Sequence, residues 1–128
     1  MQYLLLIYSN ESDWTEGERE ACYAESTQLC HQLQGAGQYL AATPLHPVAM
    51  ATSVRVREGK RLITDGPFAE THEHLGGFFL IDVNDLDEAI EVAGRIPGAR
   101  KGTVEVRPVL QLPDMPQTEA VAKESLSR

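Results

Sequence analysis

Two segments of this chain are apolar on both faces, and that limits the folds open to it. Tyr3 to Ser9 reads YLLLIYS. As a strand it turns Tyr3, Leu5 and Ile7 one way and Leu4, Leu6 and Tyr8 the other. Phe78 to Val83 has the same character. Such strands need cover on both sides. The chain has 128 residues, the size of one ordinary domain. Only two helices are predicted. The first runs from Glu16 to Gln34, with Thr15 as N-cap, Glu18 completing a capping box, and Gly35 and Gly37 ending it. Its apolar stripe is Cys22, Ser26, Leu29 and Leu33. The second is capped by Asp85, runs to about Arg95 and is stopped by Pro97-Gly98. Its stripe is Ala89, Ile90, Ala93 and Ile96. Two helices cover one face of a sheet, and the chain has no further layer for the other. A second copy is the simplest cover, so we expect a homodimer with sheets packed face to face.

The remaining segments complete a topology. Gln38 to Thr43 is a second strand. Pro44 and Pro47 hold Leu45-His46 extended. Ser53 to Arg57 alternates, with Val54 and Val56 expected inward and Arg55 and Arg57 outward. A turn at Glu58-Gly59-Lys60 and a return over Arg61 to Thr64 make a hairpin. Asp65 to Phe68 is a tight loop. Gly76-Gly77 opens the strand at Phe78. The last strand is Thr103 to Leu110, with Val104 and Val106 on one face and Glu105 and Arg107 on the other. Pro108 marks an edge or a strand end. With the hairpin set aside, the order is that of an α+β, ferredoxin-like single domain. We place this domain at 1–112. Residues 113–128, polar and with two prolines, read as a C-terminal tail with a short helix over Ala120 to Leu126.

Charge and motifs narrow the function. Eleven basic and nineteen acidic residues give a net charge of −8, which argues against direct nucleic-acid binding. No apolar run approaches the roughly 18 residues of a membrane span. The first residues lack a basic leader, so the expected location is cytoplasmic. There is no P-loop and no GxGxxG, and no cofactor is expected. Cys22 and Cys30 would stand about 12 Å apart along one helix, too far for a disulfide.

Four segments carry a resemblance: YLLLIY at the start, TDGPFAET from Thr64 to Thr71, GGFFLIDVNDLDEAIE from Gly76 to Glu91, and VEVRPV from Val104 to Val109. Together they resemble the DGPF branch of the YCII-related proteins, over about Met1 to Leu110. The resemblance implies the dimeric α/β-barrel form of the ferredoxin-like fold. Enzymatic activity is suspected in that group because many members carry a His and an Asp in the presumed cleft. DGPF-type domains also occur fused to sigma-factor domains, which implies a link to transcription initiation. Members with the His–Asp pair present the His near the start of the first helix. Here that region reads Trp14-Thr15-Glu16, so the pair does not carry over. Asp65, Gly66, Pro67 and Phe68 match the DGPF motif, with Glu70 beside it. Glu105, Arg107 and Pro108 match the closing segment.

Each candidate site residue has a structural reading beside its functional one. Asp65 caps the amides of its own loop, or it acts as acid or base in a cleft, as Glu70 also could. Gly66 supplies conformational freedom, Pro67 rigidity, and Phe68 is expected to pin the loop to apolar surface. His46, between two prolines, is a general-base candidate, since an imidazole's ordinary pKa lies near neutrality. Glu105 and Arg107 would point into the dimer cavity, either as an ion pair or as a receptor for an anion. Tyr8 could add a phenol there. His72 and His74, with Glu70 and Glu73, have metal-ligand character but lack a distant third ligand, and an exposed polar loop is the favoured reading. Arg55, Arg57, Lys60 and Arg61 guard the hairpin against edge pairing or meet an acidic partner protein. Two functions fit. The first is a small dimeric protein binding a small anionic organic ligand beside the DGPF loop, with isomerase- or lyase-like acid–base chemistry. The alternative is a non-enzymatic regulatory module linked to sigma-factor-dependent transcription.

Overall fold

The computed structural model describes residues 1–68 and 71–116. Six strands and two helices follow in the order β1 (Gln2–Ser9), α1 (Glu16–Gly35), β2 (Tyr39–Pro44), β3 (Thr52–Arg57), β4 (Lys60–Asp65), β5 (His74–Asp82), α2 (Leu86–Arg95) and β6 (Thr103–Pro108). Four strands form an antiparallel sheet in the order β2-β5-β1-β6, and β3 and β4 form a separate hairpin. This is a mixed α+β domain compatible with the ferredoxin-like arrangement.

Local signals set the helices. Thr15 and Glu18 form the reciprocal capping box of α1. The side chain of Asp85 accepts from the Glu88 amide at the start of α2. Leu29 and Leu33 of α1 and Ala89, Val92 and Ala93 of α2 pack on Tyr3 and Leu5 of β1 and on Phe79 and Ile81 of β5. Val104, Val106 and Ile7 border this core. Leu5 and Ile81 are fully buried and sit two pairs apart across β1 and β5, on the same face.

Four sequence expectations need correction. The third strand of the sheet starts at His74, before the paired glycines rather than after them. Both glycines belong to the strand. Gly76 falls at an irregularity between the Ile7–Gly77 and Tyr8–Leu75 pairs. A Cβ on Gly77 would stand 2.9 Å from the Thr43 carbonyl oxygen, so only glycine lets β2 approach there. Ile90 is 53% exposed, and Val92 takes its place in the core. The helix turns Val92, one residue from Ala93, toward the sheet, while Ile90 falls on the outer flank. Val54 and Val56 are not inward: they are 59% and 58% exposed, because the β3–β4 hairpin stands apart from the four-stranded sheet. The last strand ends at Pro108 and lies at the sheet edge; the Val109 amide still donates to the Gln2 carbonyl at 2.9 Å, so the missing Pro108 amide falls on the outer side. Single 3-10 turns at Glu11–Asp13, Val48–Met50 and Pro97–Arg100 fill connections that read as plain loops.

Candidate functional site

The sheet has one covered face and one open face. Leu4, Leu6 and Tyr8 of β1 and Phe78 and Leu80 of β5 point away from both helices and stay partly exposed. Glu105 and Arg107 of β6 lie on the same face, paired across from Leu6 and Leu4. The Arg107 Nε donates to Glu105 Oε2 at 2.7 Å. An ion pair thus borders an apolar surface, with the guanidinium mostly exposed. A guanidinium fixed by a neighbouring carboxylate keeps free donors for a planar anion.

The Asp65–Phe68 loop lies elsewhere. Asp65 ends β4 opposite Thr52. Gly66 has a φ of +100°, a conformation that favours glycine. Its amide donates to the Ala51 carbonyl at 2.6 Å, and its own carbonyl accepts from Ser53 Oγ at 2.7 Å. The loop is therefore held by backbone. Among the described residues no hydrogen bond reaches the Asp65 carboxylate, so the capping role finds no support there. Phe68 is 77% exposed, which corrects the expectation that it pins the loop to apolar surface. It borders a shallow groove along β3 instead. Glu70 lies outside the described residues.

His46 is exposed in the connection after β2. The Leu45 amide donates to the Gly76 carbonyl at 2.8 Å, and the Val48 amide donates to Glu11 Oε1 at 2.8 Å. Glu11 thus ties the His46 segment to the chain leaving β1. Sequence reasoning did not find this role, because the two residues are 37 positions apart and no motif joins them. The His46 segment continues to Ala51, the residue that holds Gly66. Tyr8 lies at this same end of the sheet, opposite Leu75 and Thr103. His74 pairs with Ser9 there, and its ring Nδ1 lies 3.4 Å from Thr71 Oγ1.

The structure therefore groups the candidates in two places. His46, Asp65, Gly66, Pro67 and Phe68 belong to connected segments at the β2 edge, where β1 ends, and Tyr8 lies at that end. Glu105 and Arg107 sit on the opposite edge strand, across from Leu6 and Leu4 of β1. Cys22 and Cys30 are free, and burial pushes both thiols up, which makes them poor nucleophiles at neutral pH. No described helix is long and apolar enough to cross a membrane.

A small α+β domain with an exposed apolar sheet face and a glycine-fixed acidic loop is the class these features define. The model of the YCII-related domain family matches residues 1–113, and the chain belongs to that family. It is similar to an uncharacterised protein of Rhizobium meliloti (strain 1021), 36% identical over 114 residues. That match covers 85% of this chain and 92% of the relative.

Proposed function

We propose that the protein is a cytoplasmic homodimer of the DGPF branch. Its sheets pack face to face as a dimeric α/β barrel, and it binds a small anionic organic ligand between them. The observation that carries this reading is the Glu105–Arg107 pair beside the apolar patch of Leu4, Leu6, Phe78 and Leu80 on the uncovered sheet face. Burying Leu4, Leu6, Phe78 and Leu80 against a second copy removes apolar area from water. The same packing leaves Arg107 as a fixed cation beside a drying cavity, where its attraction for a carboxylate grows. Asp65 and His46 are the groups for proton transfer, consistent with isomerisation or elimination.

Two measurements test this. Static light scattering at micromolar concentration should give the mass of a dimer. Thermal melts with oxalate, pyruvate, succinate and benzoate should show stabilisation by at least one anion, and Arg107→Ala should abolish it. A monomer, or an Arg107→Ala variant stabilised as well as the parent, overturns the reading. The alternative, a regulatory module that meets sigma-factor machinery, is favoured by one observation: Arg55, Arg57, Lys60 and Arg61 are all exposed on the hairpin. It would show as no response to any anion.

A further inference from the structure

Three basic side chains from one short stretch of chain reach back to α1. Arg95, in the last turn of α2, donates through Nη2 to Gln32 Oε1 at 2.8 Å. Arg100, at the end of the Pro97–Arg100 turn, pairs with Glu25, and Lys101 pairs with Glu18. Glu18, Glu25 and Gln32 follow one another at heptad spacing, so they form one line along the helix. Two places on that line set a carboxylate against a cation. The third sets a neutral amide there. Arg95 belongs to no ion pair among the described residues. Its place at the C-terminal end of α2 suits the helix dipole, which accounts for the cation but not for the missing carboxylate. Gln32 holds Arg95 in position without neutralising it.

A cleft of about 310 Å³ opens between α1 and the end of α2. That is the lower end of the size range of small-molecule sites. Leu29 and Ile96, both buried, belong to its lining. Gln28 and Gln32 come from α1, and Arg95 and Arg100 from the other wall. The bond to Gln32 uses one Arg95 nitrogen, so most of its guanidinium donors stay free. That bond also takes the Gln32 oxygen and leaves its amide nitrogen to donate. The Gln28 side chain makes no hydrogen bond among the described residues. With Glu25 included, the cleft carries one more cation than anion, in a chain of net charge −8.

We propose that this helix-side cleft binds a phosphate group, carried by a small phosphomonoester. Donors come from two walls, which suits a tetrahedral anion with several outward oxygens better than a flat carboxylate. The cleft is larger than a phosphate alone, which leaves room for a small organic body beside Leu29 and Ile96. Glu25 competes with the ligand for Arg100. The site is separate from the open sheet face, and Arg107 takes no part in it.

The test is isothermal titration calorimetry of the full chain in a phosphate-free buffer at constant chloride. The probes are glycerol 3-phosphate and inorganic phosphate. Glycerol 3-phosphate should bind at millimolar concentration or below, and more tightly than inorganic phosphate. Equal affinity would assign the cleft to the free ion and overturn the ester. Gln32→Glu is the decisive variant. It completes the line of carboxylates, so it should raise the melting temperature yet weaken both probes by at least about tenfold. Arg95→Gln should weaken them likewise, and Arg95→Lys should recover part of the loss. Glu25→Gln removes the competing carboxylate and should tighten binding several-fold. Arg107→Ala should bind both probes as the parent does. Loss of binding there would move the phosphate to the open sheet face and overturn the helix-side site. No binding of either probe, or a Gln32→Glu variant that binds as the parent does, overturns it as well. Circular dichroism matching the parent chain establishes that each variant is folded, and Gln32→Glu decides alone if Arg95→Gln is not.

Discussion

The amide of Gly66 donates to the carbonyl of Ala51 at 2.6 Å, and this bond joins the DGPF loop to the segment that carries His46. It forms because Gly66 adopts a φ of +100°. An L side chain there meets its own carbonyl. Gly66→Ala should lower stability by about 1–2 kcal/mol, read as a shift of the urea midpoint at unchanged slope. An unchanged midpoint would show that the loop relaxes without cost.

Asp65 separates structural from functional roles. No described hydrogen bond reaches its carboxylate, so Asp65→Asn should leave the melting temperature of the free protein unaltered. The proposed chemistry requires the same substitution to remove ligand-dependent stabilisation or turnover. A loss of about 1–2 kcal/mol in the free protein would instead assign the carboxylate to turn capping.

The two sides of β1 should respond differently to substitution. Leu5 is fully buried under the helices, and Leu5→Ala should cost about 2–5 kcal/mol. Leu6 points to the open face. Leu6→Lys should preserve the monomer's circular dichroism while light scattering reports loss of the dimer. If both substitutions unfold the chain alike, the open face is part of the core.

Acid should weaken one cross-link between distant segments. Hydrogen bonds from Lys101, and then from the backbone and hydroxyl of Thr15, hold Glu18 down at about 2, from an ordinary value of 4.5. Lys101 also donates to the Asp13 carbonyl and lies over the Trp14 ring. A carboxyl with a depressed folded pKa stabilises the fold above its unfolded value. That contribution is lost as pH falls from about 4.5 to about 2. Glu18→Gln should flatten the fall of melting temperature in this window and leave the profile near pH 7 parallel to that of the parent.

Truncation after Leu112 should leave the melting temperature nearly unchanged. Residues 111–116 are all exposed. The remainder of the tail, with the short helix expected over Ala120 to Leu126, lies outside the described residues. A large drop would mean that the tail packs on the domain or on a second copy.

Much of the fold was legible in the sequence because its signals are local. Thr15 with Glu18, and Asp85 with Glu88, start helices through bonds made within one turn. The hairpin turn needs two residues at positive φ, and Glu58-Gly59 adopts them. Alternation in β6 put Val104 and Val106 against the core and Glu105 and Arg107 on the other face. The candidate site was legible only as residue types.

What the sequence determined by itself, then, are the elements, their order and the existence of a second apolar sheet face, since each follows from neighbours along the chain. Distance in space was decided by the tertiary structure. Asp65 and Arg107 look equally eligible for one cleft until the pairing of strands puts Arg107 on the β6 edge of the four-stranded sheet and Asp65 in the separate hairpin. The valines of β3 look like core until the hairpin stands apart from the sheet. Glu11 gains its role only when the chain after β1 meets Val48. These outcomes depend on pairings between residues far apart in sequence, which no local propensity or spacing encodes.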